Sequence, residues 1–243
     1  DVPLILDRLK IDRAVEHVAE LGCGYGTFTL PVARRIHGVL FTFDIERANA
    51  LLDAAGYARG SDGLRARDGR RLRFVFQSST NPLRQKVQSI VKQAFARAGI
   101  DLELKAVQAS VFFGSDIANP DTVAKFWADL QLFAFTMGEP DPRRFMDQYV
   151  SWEAASRANQ WQGRNYMRWR SDEYDAAYKA ADGELDAVKR AALFIRMNDL
   201  VCGDNHLLPV VTRPKVAALG KGLVVPLSGW GEDLGSVAHW YRD

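Results

Sequence analysis

Apolar positions along this chain switch repeatedly between helical spacing and the short continuous runs of strands. Residues 1–16 read as an amphipathic lead-in. His17 to Leu21 is a short strand candidate, and Val39 to Ile45 (VLFTFDI) has few polar residues, as expected of a strand covered on both faces. Between them Thr27 to Ile36 carries Phe28, Leu30, Val32, Ala33 and Ile36 at helical positions. Pro31 falls in the first turn, where a missing N–H costs little, and His37-Gly38 ends the segment. The pattern predicts a β-α-β unit with a right-handed crossover. Further helices are expected over 46–55, 83–98, 143–149, 172–181 and 186–204. Further strands are expected over 72–77, 100–107, 129–136, 206–212, 216–219 and 222–225. Residues 57–71, rich in Gly, Asp and Arg, read as turns, 109–128 as helix and loop, and the tail GWGEDLGSVAHWYRD as irregular. This alternation predicts an α/β protein.

Composition adds mainly exclusions. With 243 residues, 47% hydrophobic and 26% charged, the chain can bury a core as one large or two small domains. A net charge of +2 gives no argument for nucleic acid. The densest basic cluster, Arg65, Arg67, Arg70, Arg71 and Arg73, is interrupted by Asp62 and Asp68 and reads as a solvated hairpin. Cys23 and Cys202 are too sparse for a disulfide framework, and His17, His37, His206 and His239 lack metal-ligand spacing, so no metal is expected. Ser78, Ser79 and Thr80 have no His-Asp partners, and no catalytic residue or enzyme activity is expected. No apolar stretch approaches the roughly 18 residues of a membrane span, so no membrane insertion is expected. The start DVPLILDRLKID lacks a signal-peptide pattern, so the chain as written is expected to be cytoplasmic.

The stretch AELGCGYG (19–26) places Glu20 at the end of an apolar run and Gly22, Gly24 and Gly26 at alternate positions before a helical pattern. Such a turn lets backbone approach a ligand and offers helix N–H groups to an anion. The third glycine comes one residue early for the dinucleotide fingerprint. The pattern instead resembles motif I of class I S-adenosylmethionine-dependent methyltransferases. That resemblance covers residues 11–46. It implies an S-adenosylmethionine site made by Glu20, Gly22, Gly24 and Gly26, with Asp44 at the position that accepts hydrogen bonds from the ribose. The remaining parts of a methyltransferase are not found.

From about residue 44 the chain resembles the C-terminal lobe of family 5 extracellular solute-binding proteins, the oligopeptide-, dipeptide- and nickel-type receptors of bacterial ABC importers. FDIERANALLDAAGY (43–57), SDGLRARDGRRLRFVF (61–76), NPLRQKVQSIVKQAFARAGIDLELKAV (81–107), LFAFTMGEPDPRRFMDQY (132–149), GRNYMRWRSDEYDAAYKAA (163–181) and VKRAALFIRMNDLVCGDNHLLPVVTRPKVAAL (188–219) carry it, in the family's order. The resemblance implies a small-molecule or peptide ligand and a periplasmic or extracellular home. Where peptide receptors carry an aspartate for the ligand's amino terminus, this chain has Gly138 with Glu139 beside it. Within Trp152–Trp169, Trp161, Arg164, Tyr166 and Arg168 form the expected ligand surface, since aromatic faces and guanidinium groups suit extended polar solutes.

Together the two resemblances predict a Rossmann-like β-α-β unit (1–46) continuing into a periplasmic-binding-protein-like lobe (47–243), a mixed sheet flanked by helices. The simplest reading is a chimera, engineered or natural, acting as a scaffold with at most weak ligand binding. An S-adenosylmethionine-binding protein or methyltransferase and an ABC-transporter peptide- or solute-binding subunit are the alternatives.

Overall fold

The computed structural model describes residues 17–20, 39–42, 45–135, 141–210, 219–226 and 237–243. They form a mixed α/β fold that divides into two compact units. The first runs to Ala106 and takes in Ala128–Leu130; the second holds Val107–Trp127 and Gln131–Pro209.

In the first unit β1 (His17–Glu20) pairs in parallel with β2 (Val39–Thr42), His17 opposite Val39 and Glu20 opposite Thr42. Parallel neighbours need a crossover; the helix expected there lies outside the described residues. α1 (Ile45–Ala54) follows. Residues 57–71 are not all turns, because they contain an antiparallel meander of β3 (Ala58–Arg59), β4 (Arg65–Arg67) and β5 (Arg70–Arg71). Strands of two or three residues are too short to show a period. The signal is Asp68-Gly69, with φ of 51° and 74°, a two-residue turn whose twist matches the flanking strands.

Arg65 organises this meander at 3% exposure. Its guanidinium donates to the Ala98 carbonyl at 3.0 Å, the Tyr57 carbonyl at 2.7 Å and Asn49 Oδ1 at 3.0 Å, and pairs with Asp53. That pairing holds the Asp53 carboxyl below its ordinary pKa. β6 (Arg73–Ser79), α2 (Pro82–Arg97) and β7 (Asp101–Val107) complete the unit, in a sheet of order β7-β6-β8 that β8 (Leu130–Leu132) enters at Leu130. Asn81 caps α2 by accepting from the Arg84 N–H at 3.2 Å, and Pro82 opens it. Gln88, buried on α2, donates to the Phe76 carbonyl at 2.7 Å and fastens helix to sheet. The strand expected over 129–136 stops at Leu132; beyond it Phe133 and Phe135 stand edge to face at 4.7 Å.

The second unit contains α3 (Ala109–Phe112), α4 (Arg143–Met146) with 3-10 turns at Asp147–Tyr149 and Ser151–Glu153, α5 (Asp172–Gly183) and α6 (Ala187–Gly203). β9 (Leu223–Val224) pairs antiparallel with β10 (Tyr241–Arg242). Side chains that accept backbone N–H bonds start both long helices. Ser171 takes the Tyr174 N–H at 3.2 Å, and Asp186 takes those of Val188 and Lys189 at 2.9 and 3.1 Å. The core is aromatic. Tyr174 meets Trp169 and Tyr149 edge to face at 5.2 and 6.2 Å, and its hydroxyl donates to the Met146 carbonyl at 2.7 Å. A smaller cluster joins Val107, Phe112 and Val123 to Phe133 and Tyr166. Of the strand expected over 206–212, residues 206–210 are irregular: Leu207 packs on the core while Leu208 and Val210 are exposed, and no strand pairs with them among the described residues.

A candidate ligand cleft

Two loops of the second unit face each other across a cleft of about 200 Å³. The first wall, Phe113 to Lys125, follows α3 and is folded by its own turn chemistry. Val123 donates its N–H to the Phe112 carbonyl at 2.7 Å. The Asp116 carboxylate takes the Ala118 N–H at 2.8 Å, and the Asn119 side chain takes that of Asp121 at 3.0 Å. The Lys125 ammonium closes the loop by donating to the Ile117 carbonyl.

The second wall, Gln160 to Tyr166, is held from behind by Asn165. This side chain is fully buried and donates to the Val150 and Trp169 carbonyls at 3.1 and 2.8 Å. Its backbone bridges to Ala154, with Ala155 N–H to Asn165 carbonyl at 3.0 Å and Asn165 N–H to Glu153 carbonyl at 2.8 Å. Gly163 makes that approach feasible: a Cβ there would lie 2.1 Å from the Glu153 carbonyl oxygen and 2.9 Å from the Ala155 nitrogen.

Backbone strain gathers around the cleft. Gln160, Trp161 and Arg168 have φ of 54°, 63° and 56°, and Phe126 has 33°. Left-handed conformations of non-glycine residues persist where surrounding structure over-determines them. At Phe126 the Arg168 guanidinium supplies that restraint, donating to the Lys125 and Phe126 carbonyls at 3.2 and 2.8 Å and reaching the Ala155 carbonyl at 3.5 Å. At Gln160 and Trp161 it comes from their own turn, their N–H groups donating to the Arg157 and Ser156 carbonyls at 3.2 and 2.8 Å. The Arg168 side chain thereby links the end of the first wall to Ala155, whose N–H bonds the Asn165 carbonyl of the second. The Trp161 ring lies beside two cations, the Lys125 ammonium 5.8 Å and the Arg168 guanidinium 5.9 Å from its centroid. Partial burial pulls the Arg168 pKa below the ordinary arginine value, yet arginine remains a cation at neutral pH. The cleft can thus offer aromatic surface, one ammonium (Lys125), one carboxylate (Asp116) and the amides of Gln160 and Gln162.

Of the residues expected to contact ligand, Trp161 and Tyr166 line the cleft. Arg164 does not; its guanidinium pairs with Asp147 at 2.6 Å. Burial raises the Asp147 pKa and Arg164 opposes that rise. Trp152 stands away from the cleft, edge to face with Tyr178 and under the Lys179 ammonium at 5.1 Å. Glu139, Gly22, Gly24, Gly26 and Asp44 lie outside the described residues, and Glu20 is known only as the last backbone position of β1. The first wall lies in the segment expected as helix and loop, with Gly114-Ser115-Asp116 and Asn119-Pro120-Asp121 as its turn signals and no signal for a ligand. A shallower groove of about 430 Å³ along α6 is lined by Pro142, Leu185, Ala187, Arg190, Ala191 and Phe194. Its one charge, Arg190, already pairs with Asp141 at 2.9 Å and donates to the Ala181 carbonyl at 2.9 Å. Among the described residues no group of three His, Cys, Asp or Glu side chains could hold a metal, and no helix is long and apolar enough to cross a membrane.

Comparison with known proteins addresses the family. The oligopeptide-binding protein OppA of Mycobacterium tuberculosis is 31% identical over 179 residues, covering 73% of this chain and 27% of that protein. The chain therefore spans about a quarter of the length of the curated relatives it matches. Two solved structures share the fold. An oligopeptide-binding protein of Thermus thermophilus, complexed with a pentapeptide, has a TM-score of 0.59 and 23% identity, covering 70% of this chain and 30% of its own. AppA of Bacillus subtilis, in complex with a nonapeptide, also has a TM-score of 0.59, with 18% identity, covering 84% of this chain and 38% of its own. The family model for bacterial extracellular solute-binding proteins, family 5 Middle, matches residues 15–157. It runs through the glycine loop and across the join expected near residues 43–46, so the reading of a methyltransferase segment fused to a receptor lobe gains no support. The homologues are solute-binding proteins rather than enzymes, and the chain belongs to family 5 of the bacterial extracellular solute-binding proteins.

Proposed function

We propose that this chain is part of the solute-binding subunit of an ABC importer and that it contacts a peptide ligand through the cleft between Phe113–Lys125 and Gln160–Tyr166. The observation that carries this reading is the cleft itself: Trp161 and Tyr166 set on strained backbone opposite a wall tied down by Arg168, with the polar side chains of Ser115, Asp116, Thr122, Lys125, Gln160 and Gln162 converging on them. Family membership and the peptide complexes of structural relatives supply the ligand class. The test is a titration of alanine-based pentapeptides, followed by tryptophan fluorescence and calorimetry. Saturable binding, weakened about tenfold or more in Trp161→Ala, is expected, since truncated aromatic anchors commonly cost over 1.4 kcal/mol. Binding unchanged by Trp161→Ala and Tyr166→Ala would move the ligand elsewhere.

A second reading rests on the parallel β1–β2 pair, which sets Glu20 at the end of its strand opposite Thr42, two positions before Asp44. Strands arranged so are compatible with a ribose-binding acid at Asp44 and hence with S-adenosylmethionine. Calorimetric binding of that cofactor, lost in Asp44→Ala, would favour it; absence of binding would remove it.

A further inference from the structure

The cleft has room for one side chain rather than for a peptide: about 200 Å³ corresponds to roughly six or seven waters at ~30 Å³ each. Beside polar groups at both rims, its apolar lining is contributed by Phe113, Ile117, Val123, Ala124, Trp161 and Tyr166, and Phe113 and Ile117 are each 49% exposed. These surfaces gain most by covering an apolar group. The charge distribution is lopsided. Lys125 and Arg168 both stand within 6 Å of the Trp161 centroid, so two cations already occupy the neighbourhood where a ligand ammonium would seek the ring. Asp116 is the only acid of the lining, and part of its carboxylate is engaged by the Ala118 N–H.

We propose that this cleft is a selectivity pocket that takes one uncharged apolar or aromatic side chain of the ligand and rejects lysine and arginine. The proposal rests on the peptide-binding reading above and adds to it a discrimination by charge. A ligand cation drawn to the Trp161 ring, which two cations already approach within 6 Å, is repelled in the intermediate dielectric of a partly covered cleft and loses about tenfold or more in affinity. Lys125 is the selecting group. Its ammonium is held on the first wall by the Ile117 carbonyl, 5.8 Å from the Trp161 centroid, and Arg168 fixes that wall by donating to the Lys125 carbonyl at 3.2 Å.

The experiment compares alanine-based pentapeptides carrying norleucine, phenylalanine or lysine, scanned through the five positions, on the intact chain. Norleucine matches the lysine stem without its ammonium, so the ratio of the two reads charge alone. Norleucine and phenylalanine are expected to bind about tenfold tighter than lysine at one position or more. Lys125→Met should bring the norleucine-to-lysine ratio toward one. Asp116→Asn keeps the turn acceptor while removing the only acid, and should raise the ratio. Thermal melts of both variants establish that they fold. Saturable binding with lysine equal to norleucine, or a ratio unmoved by both substitutions, would overturn the selectivity proposal and leave peptide binding standing. No binding of any of the three peptides would overturn both.

Discussion

The most enclosed side chain of the first unit's meander is a cation, Arg65, whereas in the second unit the most enclosed large side chains are Tyr174, Phe112 and Met197. The difference follows from what each segment has available. The strands β3 to β5 are two or three residues long and arginine-rich, so they cannot enclose an apolar centre. Their neighbours leave carbonyls at Tyr57 and Ala98, and one guanidinium with five donors satisfies both. Between α4, α5 and α6 the supply is rings, which fill volume and interlock edge to face. One region is held by satisfied acceptors, the other by filled space, and the two should fail differently.

The sharpest break is expected in the aromatic region. Tyr174→Ala empties a fully buried site and should cost about 4 kcal/mol in urea unfolding, while Tyr174→Phe, which removes only the bond to the Met146 carbonyl, should cost about 1 kcal/mol. In the meander, Arg65→Met fills the space but orphans two carbonyls, and about 2–3 kcal/mol is expected. Arg65→Lys sharpens the contrast. Lysine keeps the charge without the planar fork, so rescue by lysine would make the region electrostatic, and failure would confirm its dependence on hydrogen-bond geometry. A smaller effect, about 1 kcal/mol, is expected for Asp186→Ala, which frees the first N–H groups of α6; faster amide exchange at Val188 and Lys189 is the direct readout.

The weakest effect concerns pH. Burial raises the Asp147 carboxyl above its unfolded value, so the folded chain holds that proton more tightly. The group then contributes most to stability below the ordinary carboxylate range, and the contribution falls as pH rises through the raised folded value. Asp147→Asn should flatten that portion of the melting-temperature profile.

What could be read ahead follows the same division. α2 and α5 announce themselves through Asn81-Pro82 and Ser171, local signals that need no tertiary partner. The aromatic content of Trp152–Trp169 pointed toward the cleft through Trp161 and Tyr166. It also offered Arg164, whose partner Asp147 lies 17 positions earlier and is joined only by the fold. The meander escaped because its stability resides in Arg65, a residue whose type suggests solvent. The strand expected through Thr136 was shortened because Phe133 and Phe135 find ring partners instead of a ladder.

For anyone wishing to retune the cleft, Gly163 sets the terms. Gln160 and Gln162 have exposed side chains on the same wall and can be varied in a library to probe the ligand preference proposed above. Position 163 between them and the buried Asn165 admits no side chain, since even a methyl group would collide with the Glu153 carbonyl. A combinatorial library that randomises the whole loop would therefore consist mainly of variants that have lost their wall; one that holds this glycine fixed would sample specificity.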